Sequence, residues 1–184
     1  QGVALAATRS GVDAKIVMPE YAPISKIKAT QSYGAEVVLH GADYDEAAAK
    51  AHELEREEGR TYVHAFDDEL VMAGQGTIGL EILEDLPEVE TVLVPIGGGG
   101  LISGIATAIK AKSPDTRVIG VQAEGASSVA QSLTKGHRVE LDRVDTIADG
   151  IAVRGPGTLT YEVIKESVDE VVTVSDPESA MALT

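Results

Sequence analysis

Cysteine is absent from this sequence, which excludes disulfides and thiolate metal sites. Basic residues are scarce: 15 Lys and Arg face 30 Asp and Glu, a formal net charge of −15. A nucleic acid would be repelled by such a surface, and no basic stripe interrupts the acidic background. The same acidity keeps a protein in solution, and it is the pattern expected of a chain adapted to high salt, where screening weakens self-repulsion. No apolar run approaches the ~20 residues of a membrane span. No signal peptide is visible, so the default expectation is a cytoplasmic protein without membrane partners.

Aromatic residues are also few: five Tyr, one Phe and no Trp. With 43% hydrophobic residues, the core must be built from Ala, Val, Ile and Leu, punctuated by 19 Gly. Short Val/Ile/Leu runs of this kind suit the buried parallel strands of a layered α/β fold. Strands are predicted over 14–18, 36–39, 61–65, 91–96, 117–121 and 171–174. Helices are predicted over 23–33, 43–59, 70–86, 101–112, 127–135 and 158–167. This alternation implies βαβ units and mostly parallel sheets. The tract at 65–68 is the candidate boundary, giving a small lobe over 1–65 and part of a larger one over 66–184.

Both ends read as cuts. Residues 1–9 have helical character but no capping residue ahead of them. Ser175 and Glu178 form a capping-box pattern around Pro177, opening a helix that has run only about two turns at residue 184.

The most informative feature is Gly97-Gly98-Gly99-Gly100, set between the hydrophobic strand 91–96 and a helix. Glycine lets backbone N–H groups approach a ligand, and a helix N-terminus adds free donors and partial positive charge. Together they form a cradle for a phosphate. The plainer alternative is a turn that merely packs strand on helix. Spacing excludes two rival phosphate loops. A P-loop needs Lys and then Ser or Thr after its last glycine, but Leu101-Ile102 follow. The dinucleotide fingerprint needs glycine at positions one, three and six, whereas counting from Gly97 or Gly98 puts Ile102 or Ser103 sixth.

The stretches Gly74-Gln75-Gly76-Thr77-Ile78-Gly79-Leu80-Glu81-Ile82 and Val94 to Leu101 resemble the fold-type II pyridoxal-phosphate enzymes, the tryptophan-synthase-β-like fold. Thr146 to Val153, followed by Pro156 to Glu162, narrows the resemblance to threonine/serine dehydratases and the similar serine racemases. The resemblance implies two lobes of mostly parallel twisted sheet flanked by helices, truncated at both ends. It implies that Gly97, Gly98, Gly99, Gly100 and the Leu101 N–H hold the phosphate of pyridoxal 5'-phosphate, and that Gly150 lies near the cofactor ring. Gln1-Gly2 resemble the end of a motif facing cofactor and substrate.

The implied reaction is β-elimination from L-threonine or L-serine, giving a 2-oxo acid and ammonia. The implied setting is amino-acid metabolism, isoleucine biosynthesis included, and the implied assembly is a homo-oligomer, a dimer or tetramer. The Schiff-base lysine of the family lies upstream: none of the eight lysines present sits in a matching motif. The chain by itself is therefore expected to be inactive. In several relatives a divalent cation is held at the position of Glu124, by a carbonyl near Ser128 and by an acidic residue six positions on. That sixth position is Ala130 here, which puts the metal in doubt.

His40, His52, His64 and His137 show no metal-ligand spacing, and His64 reads as a hydrogen-bonded structural residue at the lobe boundary. Two alternatives stand beside the dehydratase: a serine racemase, and a non-catalytic phosphate- or nucleotide-sensing α/β module.

Overall fold

The computed structural model describes residues 1–183. The chain divides into two compact units, Gln1–Val63 and a second beginning at His64.

The first unit contains α1 (Gly2–Arg9), β1 (Lys15–Met18), α2 (Ile24–Ser32), β2 (Glu36–Leu39) and α3 (Tyr44–Glu58). Strands β1 and β2 pair in parallel, with Ile16 opposite Val37 and Met18 opposite Leu39. The α3 helix starts where the Asp43 carboxylate accepts the Glu46 N–H at 3.0 Å and ends at Gly59, which takes a left-handed φ of 64°. Lys15 ties β1 to the end of α3 through Glu58 at 2.6 Å.

The strand predicted over 61–65 does not form. Two of its residues make local contacts instead. The Tyr62 ring stacks on His52 with centroids 4.1 Å apart, and His64 Nδ1 accepts the N–H groups of Phe66 at 3.1 Å and Asp67 at 2.8 Å. A side chain that captures nearby backbone donors competes with a strand ladder.

The second unit contains α4 (Glu69–Asp85), β3 (Thr91–Pro95), α5 (Gly100–Lys112), β4 (Arg117–Ala123), α6 (Ser128–Lys135), α7 (Thr158–Ser167), β5 (Glu170–Val174) and α8 (Asp176–Met181). Its sheet has the order β3-β4-β5. Both pairings are parallel, with Val94 opposite Gly120 and Val121 opposite Val172. The core beneath it is aliphatic, as the scarcity of aromatics requires: Ile96, Ile102, Ile109, Val118, Val129 and Ile164 are fully buried. Each such side chain contributes about 1.5–3 kcal/mol relative to exposure.

Gly76 and Gly79 of α4 have a packing reason that the helix's sequence pattern does not display. Helices α4 and α5 cross at near-backbone contact. A Cβ on Gly76 would lie 3.1 Å from the Gly104 carbonyl oxygen, and one on Gly104 would meet the Gly76 nitrogen at 2.7 Å. Helix α8 opens as its sequence predicts, with the Ser175/Glu178 capping box formed. Asp176 also accepts from Thr146 Oγ1 at 2.6 Å and the Ile147 N–H at 3.0 Å. These bonds anchor the irregular stretch between α6 and α7.

Asp169 joins three elements. Its carboxylate accepts the Val118 N–H at 2.7 Å and pairs with Lys110 at 2.8 Å. The Lys110 hydrogen bond, and then the backbone bond from Val118, hold that carboxyl below its usual range.

Candidate phosphate-binding site

The tetraglycine segment lies at the carboxyl end of β3, the edge of a parallel sheet where α/β proteins bind ligands. Gly99 takes a φ of 97° and stands at the N-cap of α5. Only glycine reaches that conformation without steric penalty. The first N–H groups of α5, beginning with Gly100 and Leu101, have no intrahelical acceptor and carry the positive end of the helix dipole.

Three further segments pack around the loop. A Cβ on Gly98 would collide with the Phe66 ring, and one on Gly100 would lie 2.7 Å from Phe66 Cβ. A Cβ on Gly97 would lie 3.1 Å from Ile151 Cα, so the Gly150 segment sits beside the loop. Gly150 itself is exposed, and a Cβ there would meet nothing within 4 Å. On the remaining side, a Cβ on Gly99 would meet Ile164 Cδ1 at 2.8 Å. The packing explanation for the glycines and the phosphate explanation therefore both apply, because close neighbours on three sides fix the backbone whose N–H groups would receive the anion.

A second helix N-terminus converges on the same loop, and it is already occupied. The Asp67 carboxylate accepts the N–H groups of Thr158 and Leu159 at 2.9 Å and of Thr160 at 3.1 Å. It thus satisfies the first turn of α7 from 91 residues away in sequence. Gly157 is glycine because Asp67 occupies the place of its side chain. With α7 capped internally, α5 offers the open donors.

The residues singled out by sequence fall into two groups. Gly97, Gly98, Gly99, Gly100 and Leu101 form the loop in the second unit, and Gly150 adjoins it through the next residue, Ile151, which packs on Gly97. Gln1 and Gly2 open α1 in the first unit, where Gln1 makes no capping side-chain bond. Glu124 begins the short 3-10 turn Glu124–Ala126 after β4 and is exposed. Among the described residues, no group of three or more His, Asp or Glu is placed to hold a metal. His64 is hydrogen-bonded within its own turn, and its ring meets the Phe66 ring edge-on at 4.7 Å.

Sequence reasoning missed Phe66, Asp67 and Gln122 as organising residues. Gln122 is fully buried on β4, and its Oε1 accepts the N–H groups of Val129 and Ala130 at 3.1 Å, capping α6. Asp67 carried one available signal: Asp68 alone suffices to cap α4, leaving its neighbour without a local role.

The family described as pyridoxal-phosphate dependent enzyme matches residues 1–184. The chain belongs to this family. Membership in the pyridoxal-phosphate family agrees with the donors found here, a glycine-lined turn running into an open helix N-terminus. The L-threonine ammonia-lyase of Thermotoga maritima is 53% identical over 183 residues, covering 100% of this chain and 46% of that protein. The processed form of threonine deaminase isoform 2 from Solanum lycopersicum superposes with a TM-score of 0.88 at 48% identity, over 95% of this chain and 48% of that one. Maize serine racemase gives a TM-score of 0.92 at 38% identity, over 98% of this chain and 55% of that one. The chain thus spans about half the length of the relatives it matches.

Proposed function

We propose that the protein containing this chain is a threonine/serine ammonia-lyase dependent on pyridoxal phosphate, acting on a small amino-acid substrate and releasing a 2-oxo acid and ammonia. The observation that carries the reading is the convergence of Gly97–Gly100 and the Gly150 segment at the strand ends of a chain whose relatives include threonine ammonia-lyases. In this reading the N–H groups of Gly97 to Leu101 hold the cofactor phosphate at the start of α5, and Gly150 offers bare backbone along the ring. Bound pyridoxal phosphate supplies an electron sink for the pair left at the substrate α-carbon. This chain's share of the work is to hold and orient the cofactor by its phosphate, using donors fixed before it arrives. Glu124 is exposed and Ala130 brings no side-chain ligand, so a divalent cation has no part in the proposal.

The proposal extends to a homo-oligomeric cytoplasmic enzyme whose oxo acid feeds isoleucine synthesis, and to adaptation to high salt, supported by the net charge of −15. The test uses the full-length protein with pyridoxal phosphate and follows 2-oxo acid release from L-threonine, L-serine and D-serine, alongside racemisation of serine. Oxobutanoate from threonine is the expected result. The likeness to maize serine racemase makes racemised serine with little oxo acid the result that favours the second reading. No reaction with either amino acid favours a phosphate-sensing module.

A further inference from the structure

We propose that Asp67 is a positioning residue for the phosphate loop, acting through the start of α7 on the Gly98 carbonyl. The proposal rests on the reading that Gly97–Gly100 receives the cofactor phosphate, and it explains how the loop is set before the anion arrives.

The relay has two steps. In the first, the Asp67 carboxylate gathers the N–H groups of Thr158, Leu159 and Thr160. This fixes the first turn of α7, and the three donors together with the helix dipole absorb the carboxylate charge. In the second, that same turn grips the loop: Thr160 Oγ1 donates to the Gly98 carbonyl at 2.7 Å, and the Gly157 N–H donates to it at 3.2 Å. Thr160 is fully buried, so its hydroxyl has a fixed partner and little freedom. Pinning the Gly98 carbonyl fixes the plane of the Gly98–Gly99 peptide, and with it the direction of the next N–H groups along the loop.

Asp67 is itself held from behind, since its own N–H is bound by His64 Nδ1 at 2.8 Å. The preceding residue, Phe66, fills the space over Gly98 and Gly100. One four-residue turn, His64 to Asp67, therefore touches the loop directly by its ring and indirectly by its carboxylate. Capping α7 accounts for the bare Gly157 but not for the two bonds that the capped turn makes to the Gly98 carbonyl.

The experiment compares binding of pyridoxal 5'-phosphate and of pyridoxal, which lacks the phosphate, to the full-length protein and its Asp67→Ala and Thr160→Val variants. Far-ultraviolet circular dichroism and the melting temperature are recorded for each. Wild type is expected to prefer the phosphorylated form strongly. Each variant is expected to bind pyridoxal 5'-phosphate about tenfold more weakly, equivalent to ~1.4 kcal/mol, with pyridoxal binding unchanged. Asp67→Asn, which keeps one acceptor oxygen, should fall between. Thr160→Val leaves the α7 cap intact, so it tests the second step even if Asp67→Ala fails to fold. Equal loss for both ligands, or no loss for either, overturns the relay. A wild type that binds both ligands equally overturns the phosphate reading itself, and the relay with it.

Discussion

The Phe66 ring lies where a side chain at Gly98 would have to be, and Phe66 is the only phenylalanine in the chain. The contact is reciprocal: the ring needs a bare backbone to approach, and the loop needs a rigid neighbour to hold its shape. Gly98→Ala should therefore displace either the ring or the loop. The expected outcome is cofactor affinity lowered by tenfold or more, measured by titrating the full-length variant with pyridoxal phosphate. Adding Phe66→Ala to Gly98→Ala removes the clash, so the double variant should recover part of that loss. A double variant as weak as the sum of the two singles would show that the residues act independently.

Two glycines thirty residues apart should respond to alanine with opposite signs. At Gly104 the added methyl would meet backbone atoms of α4, the Gly76 nitrogen at 2.7 Å among them, and backbone cannot step aside as a side-chain tip can. Gly104→Ala is expected to destabilise by about 2–3 kcal/mol, the upper part of the range for overpacked cores. Gly74 is exposed on α4, and a methyl there meets nothing within 4 Å. Gly74→Ala should stabilise by about 0.5–1 kcal/mol through helix propensity and a less flexible unfolded chain. Urea midpoints for the two variants against wild type decide both, and a stabilising Gly104→Ala would refute the close helix crossing.

These positions show which features are legible in a sequence. Elements set by local rules were readable: Asp43 and Gly59 mark the two ends of α3, and Ser175 with Glu178 marks the start of α8. The parallel α/β class followed from strand–helix alternation, and the tetraglycine segment announced itself by composition. What the sequence hid depends on contacts between distant residues. Gly76 and Gly79 looked like weak points in a helix until α5 stood against them. Asp67 reads as one more acid in an acidic tract, because its three partners lie more than 90 residues away. The error at 61–65 has the same origin: Val63 and its neighbours have strand propensity, but His64 captures the following N–H groups and Tyr62 turns onto His52.

Acidic excess makes a prediction about salt. Thirty acidic side chains against 15 basic ones repel one another across the surface, and added electrolyte screens that repulsion. The melting temperature of the protein should rise as KCl is added. Potassium acetate at the same ionic strength should act similarly, because screening depends on ionic strength and not on chloride. A melting temperature that stays level or falls would remove the case for adaptation to high salt.

The Asp169–Lys110 pair predicts a response to acid. Its carboxyl is held below the usual range by Lys110 and by the Val118 N–H, so the folded state binds that proton less readily than the unfolded chain does. A depressed carboxylate contributes stability above its unfolded value, near pH ~3.9, and loses it as pH falls through the folded value. At neutral pH the Asp169→Asn variant should be less stable than wild type, because the amide cannot pair with Lys110 as a carboxylate does. In acid the wild-type carboxyl takes up its proton and the advantage disappears, so the two stability curves should converge below about pH 4. The effect should be modest, since the pair is partly open to water, with 33% of the Asp169 side chain exposed. Urea midpoints at a series of pH values measure it directly. A gap between the variants that stays constant into acid would mean that Asp169 acts through shape and hydrogen bonding alone, with its charge contributing nothing to the union of α5, β4 and β5.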